Sequence, residues 1–446
     1  MKSGAALSGK KKGFIKSSTL VLLAFATMFF SRCFDTLGAP STINFLHFAT
    51  VPFACGVTLL KSRSKDRHQI AISWALITGL FILFWAIFAS ALWNQAGVIN
   101  AVLSFMLLGE PFVMLLAIIS LPMSPASLEK FKTWMRRFFF FHLFLALFQR
   151  HVLRMNTWNT PGLASPDHIQ GVFWRSGAGH VVGASVSLSF GVYYLVSAKT
   201  VPIWIRAAVA LATFWQMLIA DAKQVLLAFL VGGVLLILTK VKDITKLIKY
   251  VIGAIVLVYV LLWCLQNVEA FAAFNVWMRP HIYGPEGEAT LLKTATFRIV
   301  PSYYESFMNW LLGLGPGHTV GRLGGWMIKE YADLLEPLGS TRHPASRDVW
   351  QAVAASYLGA SSSMFSPLFG WAGIWGDLGF LGLAAYLFLS FLVWRYLCLD
   401  DFSRFLMFSV FAIGLVFSQM EEPGYMLSVA AMIGLQWHEH QGTSRK

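Results

Sequence analysis

Stretches of mostly apolar residues, long enough to cross a lipid bilayer as helices, recur along almost the entire chain. A spanning helix needs about 20 such residues, because each residue adds ~1.5 Å and the hydrocarbon core is ~30 Å thick. Twelve stretches come close to this length, at about 17–37, 42–60, 70–92, 98–121, 134–150, 178–197, 203–220, 223–239, 250–266, 374–396, 404–420 and 424–438. Charged residues make up only 13% of the chain, about half the share that is usual in soluble domains. The sequence therefore predicts an all-α polytopic membrane protein with about 12 transmembrane helices, in which residues 1–446 form a single membrane domain.

The basic residues are concentrated in alternate connecting segments. The chain carries 35 Lys and Arg against 21 Asp and Glu, a formal net charge of +14. If the N-terminus is cytoplasmic, the segments that hold most of the basic residues all lie on the cytoplasmic side: the N-terminus, 61–69, 122–133, 198–206, 240–249, 395–404 and the C-terminus. This is the positive-inside pattern of membrane proteins. The positive charge therefore indicates topology and speaks against a nucleic-acid partner, which would need the charge on one binding face.

The same alternation places one unusually long segment, 267–373, outside the membrane between the ninth and tenth helices. Two shorter outer segments are a loop at about 149–177 and a turn at 220–223. The long segment is rich in aromatic residues and contains no Gly/Ser-rich or Pro-rich linker. We therefore expect an extracytoplasmic loop subdomain that packs on the membrane domain.

Helical patterns occur inside this long segment. Apolar residues at spacings of three and four predict an amphipathic helix over 290–312, and shorter helices are expected over 325–335 and 344–358. The first two are joined by a glycine-rich stretch at 313–322. A nucleotide-binding loop would need a preceding β-strand in a βαβ unit, so that interpretation is disfavoured. The glycines allow exposed N–H groups that could hold an anion or a sugar; the alternative is a tight turn.

Several basic residues fall in the outer segments. Arg298 lies in the middle of the predicted helix over 290–312, among aromatic residues, and a guanidinium in such low-dielectric surroundings usually has an anionic partner. Lys223 follows Asp221 at the outer start of the eighth helix, where the helix dipole adds to its positive charge. Arg175 precedes the sixth helix and could reach the same place. For Lys223, the alternative is an ion pair with Asp221 or a snorkelling side chain.

Together these features resemble the O-antigen ligase and O-antigen polymerase superfamily of integral membrane glycosyltransferases. The resemblance is carried by the twelve helices, with the long outer loop after the ninth, and by four short motifs. These are Phe297 with Arg298, WLLGLGPG at 310–317, ADAKQ at 220–224 and GDLGFLG at 376–382. The likeness covers most of the chain in topology but few residues by identity.

The resemblance implies a donor glycan that is carried on a polyprenyl diphosphate in the lipid bilayer. It further implies the bacterial inner membrane, with both termini cytoplasmic and the long loop periplasmic. A chain-length regulator or a flippase of the same pathway is an expected partner. In this family Arg298 and Lys223 would bind the diphosphate, and Arg175, Arg322 and His180 are further candidate ligands.

The chemistry of such a transfer restricts the catalytic candidates. Cations such as Arg298 would neutralise the charge that develops on the departing diphosphate. A metal ion or other cofactor is then not expected, in keeping with the absence of an Asp/Glu/His cluster at metal-ligand spacing. The acceptor hydroxyl still needs a base or an orienting group, and the candidates are His318, Glu305, Asp348 and His180. For each of these four, the alternative is an ordinary hydrogen-bonded loop residue.

Other functions stay open at this point. The ligase branch of the family commonly has a histidine just before the tenth helix, and the stretch 360–367 has none, which favours a polymerase of repeat units over a ligase. Glu110, followed by Pro111, falls near the middle of the fourth helix, and an intramembrane carboxylate suggests a functional site. This residue supports a transporter or lipid-linked oligosaccharide flippase, although paired halves are not evident. A non-catalytic scaffold of a polysaccharide export complex is the third class.

Overall fold

The computed structural model describes residues 16–62, 66–158, 165–240, 244–268, 271, 279–361, 363–365 and 369–444. Every regular element in these ranges is helical, which confirms the predicted all-α class. The basic N-terminal segment 1–15 lies outside the described residues. So do 269–270, 272–278, 362 and 366–368 of the predicted outer segment.

The first ten helices occupy the N-terminal part of the chain. They are α1 (Ser17–Phe29), α2 (Ser31–Thr36), α3 (His47–Lys61), α4 (Arg67–Trp93), α5 (Val98–Ile119), α6 (Pro125–His151), α7 (Gly179–Ser197), α8 (Ile203–Ile219), α9 (Lys223–Leu238) and α10 (Ile244–Asn267). Short helices follow in the predicted outer segment: α11 (Glu288–Lys293), α12 (Ala295–Ile299), α13 (Phe307–Leu312), α14 (Ile328–Glu330), α15 (Ala332–Leu335), α16 (Pro344–Ala354) and α17 (Tyr357–Ser361). The last three are α18 (Gly370–Tyr396), α19 (Asp401–Gly414) and α20 (Pro423–Ser444).

Six stretches of the described chain are long and apolar enough to cross a membrane. They are Ser41–Lys61, Arg67–Trp93, Val98–Ile119, Gly179–Ser197, Ile248–Asn267 and Gly370–Tyr396. Three shorter apolar helices, α1, α8 and α9, accompany them. The chain is therefore a helical membrane protein, and the larger number of twelve spans stays a prediction.

Helix α5 lies at the centre of the bundle, where it packs against α3, α4 and α20. Helix α18 packs on α4, α9 on α19, and α7 on α8. Small residues allow the last pair to approach closely: a Cβ atom added at Gly191 of α7 would overlap the side chain of Thr213 on α8. Small residues at helix contacts are typical of membrane bundles, where van der Waals packing drives association.

Helix α10 differs from the others in its surroundings. None of its apolar window over Ile248–Asn267 is buried inside the protein. Its contacts include α9 and a hydrogen bond from the Tyr250 hydroxyl to an Asp401 carboxylate oxygen, at 2.6 Å. Side chains such as Ile252, Tyr259 and Trp263 are exposed, so lipid is the environment that suits this helix.

Two predicted helices are broken in the structure. The stretch 17–37 was expected to be one helix, but α1 ends at Phe29 and α2 begins at Ser31. Polar residues cause the break, because Arg32 and Asp35 would be costly in hydrocarbon without partners, and they lie 3.9 Å apart beside Asn44. The helix predicted over 290–312 is likewise divided into α11, α12, a 3₁₀ turn at Val300–Tyr303 and α13, with Pro301 in that turn.

Candidate functional site

The glycine-rich stretch 313–322 docks onto a break in helix α18. The break lies at Gly379, whose φ of +63° is open to glycine at little cost, and a Cβ atom there would overlap the backbone of Leu311. The Leu314 N–H donates to the Gly376 carbonyl, at 2.9 Å. Two motifs that the sequence analysis singled out separately, 310–317 and 376–382, are therefore in direct contact.

Asp377 holds this turn in place with both of its carboxylate oxygens. Oδ2 accepts from the Gly317 N–H at 2.7 Å, while Oδ1 accepts from the Thr319 N–H at 2.7 Å and from the Thr319 hydroxyl at 2.6 Å. Asp377 is only 6% exposed. The backbone N–H groups that could have held a ligand anion thus bind a carboxylate of the protein itself, which favours the structural-turn alternative for this stretch.

Glu421 binds the far end of the same turn. It lies in a 3₁₀ turn at Gln419–Glu421, between α19 and α20, and accepts from the Leu323 N–H at 3.4 Å. Burial raises the pKa of Glu421 to about 8, and the nearby charge of Asp377 adds to the rise. Glu421 therefore carries a proton at neutral pH.

Arg322 ends the glycine-rich stretch and lies in a buried polar cluster. Its guanidinium is 7% exposed and forms an ion pair with Glu422. It also donates to the Ser176 hydroxyl at 3.1 Å and lies 4.7 Å from the centre of the Trp326 ring. Ser176 in turn donates to the other oxygen of Glu422 at 3.3 Å. A buried guanidinium in such a setting is suited to binding planar oxyanions.

Backbone strain positions Ser176 for this contact. Arg175 and Ala178 both have positive φ, 57° and 55°, although neither is glycine. Between them, Gly177 lies under Trp326, so closely that a Cβ atom would come within 2.9 Å of the indole ring. Conformations of this kind cost about 1–3 kcal/mol each and cluster at functional sites.

Arg322 lines a small, partly open cavity at the meeting point of distant parts of the chain. Its polar lining consists of Ser31, Arg32, Asn44, His47, Ser176, Arg322, Tyr331 and Glu422, and its apolar lining includes Phe45, Phe173 and Trp326. The Arg32 guanidinium, from the N-terminal part of the chain, lies 5.8 Å from the centre of the same Trp326 ring that Arg322 approaches. The cavity has a volume of about 40 Å³, room for a few water molecules at ~10–15 Å³ each. We call it the arginine cavity.

His47 contributes an imidazole to the wall of the arginine cavity. It begins helix α3 and is 4% exposed, and Glu110 of α5 is 2% exposed. The two carboxylate oxygens of Glu110 lie 2.8 and 2.9 Å from His47 Nδ1. Sequence analysis identified Glu110 as notable but missed His47, because 63 residues separate the two.

Among the sequence-predicted site residues, Arg322 is the one that lines the arginine cavity as the structure describes it. Arg298 is exposed on α12 and donates to the Leu291 carbonyl at 2.7 Å. Lys223 forms an ion pair with Asp221, as the alternative interpretation expected. The side chain of Arg175 is exposed. The contacts described for Arg298 and Lys223 do not bring these two residues together.

His180 belongs to a second polar cluster. Its Nε2 is 3.6 Å from Asp167 Oδ1. Burial raises the pKa of Asp167 to about 7, and the negative charge of Asp221 adds to the effect. Through Asp167 and Asp221, this cluster links His180 to Lys223 at the start of α9. These four residues are not among those that line the arginine cavity.

The remaining candidate bases are engaged elsewhere or exposed. His318 Nδ1 donates to the Leu314 carbonyl at 2.8 Å, and Nε2 lies 2.8 Å from the Thr341 hydroxyl; burial lowers its pKa to about 4, so the ring is neutral at pH 7. Asp348 accepts from Tyr303, and this bond lowers its pKa. Glu305 is exposed.

In the described part of the chain, no three His, Cys, Asp or Glu side chains are grouped closely enough to hold a metal ion. No protein-family model and no curated protein matches the chain. The resemblance to the O-antigen ligase and polymerase superfamily therefore stays a prediction, and the function must be argued from the site.

Proposed function

We propose that the chain is a membrane glycosyltransferase whose donor is a glycan on a polyprenyl diphosphate, with the arginine cavity as the diphosphate site. The observation that carries the proposal is the convergence of two guanidinium groups, Arg32 and Arg322, on one small cavity. Arginine is suited to phosphate because its planar fork donates two parallel hydrogen bonds and stays charged when buried.

The topology predicted from charge and hydropathy supports this site. In the proposal the chain crosses the bacterial inner membrane twelve times, with both termini cytoplasmic and 267–373 as an outer subdomain. That arrangement assigns Arg32, Ser176, Arg322 and Glu422 to outer ends of helices or outer loops. All four line the arginine cavity, so two independent lines of reasoning agree on one side of the membrane.

The chemistry suits this location. Nucleotide sugars are not supplied outside the membrane, so an activated sugar must arrive with its leaving group attached to a lipid. Arg32 and Arg322 would neutralise the charge that develops on the departing diphosphate, the role that oriented cations play at other transferred phosphates. In this proposal the enzyme needs neither a metal ion nor another cofactor, and the acceptor is a further repeat unit or a lipid.

In the structure, both guanidinium groups already have a carboxylate neighbour, Asp35 for Arg32 and Glu422 for Arg322. A phosphate would exchange with Glu422 for the Arg322 guanidinium. The cavity has room for a few water molecules, which is about the size of one phosphate group, so the glycan would extend outside it. Opening near Trp326, which covers both guanidinium groups, would admit the donor.

The test is elongation of a purified polyprenyl-diphosphate-linked repeat unit by the protein in liposomes. Arg322→Lys keeps a charge beside Glu422 but loses the bidentate fork, and we expect the rate to fall roughly 100-fold. Arg298→Ala and Lys223→Ala, which change the pair proposed from the sequence, should leave most of the rate.

Two results would count against this assignment. If Arg298→Ala abolishes elongation while Arg322→Lys elongates at the wild-type rate, the diphosphate site lies at Arg298. If the wild-type protein binds the lipid-linked unit but never transfers its glycan, to another unit or to a lipid acceptor, the transferase proposal is wrong. Transfer to a lipid acceptor without elongation would identify the ligase reaction instead of the polymerase reaction.

A lipid-linked oligosaccharide flippase is the second candidate, and one observation favours it. The His47–Glu110 pair is buried inside the bundle, and intramembrane ionisable pairs of this kind occur in proton-coupled transporters. Translocation of a labelled lipid-linked oligosaccharide across vesicles, lost in Glu110→Gln, would support this function.

A further inference from the structure

Glu110 and His47 form an oriented pair that the proposed diphosphate chemistry does not use. The carboxylate of Glu110 lies against His47 Nδ1 through both oxygens, at 2.8 and 2.9 Å. In the tautomer in which Nδ1 donates to the Glu110 carboxylate, the neutral ring keeps its lone pair on Nε2. His47 Nε2 has no hydrogen-bond partner among the described residues.

The position of the ring is fixed by its neighbours. His47 starts α3, and Glu110 lies on α5 immediately before Pro111, in a helix most of whose residues are buried. The Phe48 ring centre lies 4.2 Å from that of His47. A histidine that is held by a carboxylate on one nitrogen and is bare on the other has the arrangement of a general base.

His47 also lies in the same cavity wall as Arg32 and Arg322. Other carboxylates and imidazoles nearby are less suited to the role. Glu422 is already shared between Arg322 and Ser176, and His318 uses both ring nitrogens. Glu421 is protonated at neutral pH, because burial raises its pKa to about 8.

We infer that His47 is the base that removes the proton from the acceptor hydroxyl, and that Glu110 is the positioning residue that orients it. The inference rests on the proposed transferase function and adds the catalytic group that the two arginines cannot supply. It also gives a role to the carboxylate that the sequence analysis associated with transport.

The acceptor oxygen forms a bond to the anomeric carbon of the donor sugar, and the bond from that carbon to the diphosphate oxygen breaks. The electron pair of the broken bond leaves with the polyprenyl diphosphate, beside Arg32 and Arg322. The hydroxyl proton moves to His47 Nε2, and the resulting imidazolium is stabilised by Glu110 until the proton returns to water.

The experiment measures donor binding and transfer separately in His47→Gln and Glu110→Gln. The probe is a short-chain polyprenyl diphosphate carrying the repeat unit of the host, in liposomes that contain the full-length protein. We expect both variants to bind it with an affinity within a few-fold of wild type, while transfer falls about 100-fold or more in His47→Gln. An acceptor analogue with a more acidic hydroxyl should recover part of the rate, which damage to the fold alone would not permit.

The pH dependence of transfer tests Glu110 specifically. The charged and titratable groups that share the cavity with His47 are Arg32, Arg322, Tyr331 and Glu422, and Glu110 faces the ring from α5. Loss of the Glu110 carboxylate leaves the two arginines to disfavour the imidazolium, so the rise of rate with pH should move to lower pH in Glu110→Gln. A purely structural role for Glu110 would lower the rate without moving this profile.

The outcomes separate the inference from the proposed function. If His47→Gln transfers at the wild-type rate, or loses donor binding together with transfer, His47 is not the base and the inference is wrong. If wild-type protein transfers nothing, the proposed function fails first. If transfer persists in Glu110→Gln while proton-coupled translocation is lost, the pair serves transport and the inference is overturned.

Discussion

Replacement of Asp377 by asparagine should destabilise the fold out of proportion to the small change in shape. The side chain is 6% exposed, and both of its oxygens accept, Oδ2 from Gly317 and Oδ1 from the N–H and hydroxyl of Thr319. Asparagine keeps one acceptor oxygen and replaces the other by an NH₂ group. Whichever way the amide turns, a donor then faces a buried backbone N–H of the turn.

The size of the effect follows from those contacts. At least one hydrogen bond to a buried carboxylate is lost, worth about 1.5–3 kcal/mol, and the backbone N–H that faced it is left unsatisfied. We therefore expect Asp377→Asn to lower the free energy of unfolding by about 2–4 kcal/mol. Thr319→Val is the matched control, since it removes only the 2.6 Å hydroxyl bond and should cost roughly 1.5 kcal/mol.

Thermal and denaturant unfolding in detergent micelles would measure both changes. The chain contains 17 tryptophans, so intrinsic fluorescence reports unfolding without a label. The control for correct insertion is the fraction of monodisperse protein recovered after solubilisation. An Asp377→Asn protein that unfolds together with wild type, or that loses less stability than Thr319→Val, would refute the account of how the turn is held.

Three further variants test the helix break at Gly379, a control position on α10 and the turn bound by Glu421. Gly379→Ala should prevent folding or cost more than about 3 kcal/mol of stability, because φ is +63° and the new Cβ would overlap the Leu311 backbone. Gly253→Ala on α10, where the new Cβ would meet nothing within 4 Å, should be neutral or stabilise the fold by up to ~1 kcal/mol. The recovery of folded protein and the unfolding midpoints of the two variants test this difference. Burial raises the pKa of Glu421 to about 8 from an ordinary 4.5, so the folded chain holds a proton that the unfolded chain releases, and stability should fall as pH rises between those values. Glu421→Gln should abolish that fall, and an unchanged slope of melting temperature against pH would contradict the assignment.

The sequence predicts the helical membrane class well, because apolar length and charge placement are properties of single segments. It does not predict where helices break. The break at Phe30 and the division of 290–312 depend on partners that hydropathy does not register, such as Asn44 beside Asp35. A run of apolar residues indicates burial in lipid or protein, but the polar residue within it decides whether the helix continues.

The candidate site was only partly predictable for the same reason. The glycine-rich stretch and the motif at 376–382 stand out in the sequence, but nothing local shows that Asp377 binds the turn, since its partners lie 58 to 60 residues away. Arg322 was one of several outer basic residues, and its burial beside Glu422 distinguishes it. His47 is an isolated histidine at the start of an apolar stretch until Glu110 is seen beside it.

Helix α10 has a practical consequence for work on this protein. No residue in the window over Ile248–Asn267 is buried, and only a few, such as Leu261 and Leu265, are half-buried against the bundle. Insertion into lipid therefore contributes more than side-chain packing to keeping this helix in place. Most of its positions should therefore accept any apolar residue, and a fluorophore or spin label attached there would report on the surrounding acyl chains. The end near Tyr250, tied to Asp401, is the part to leave intact when such a probe is introduced.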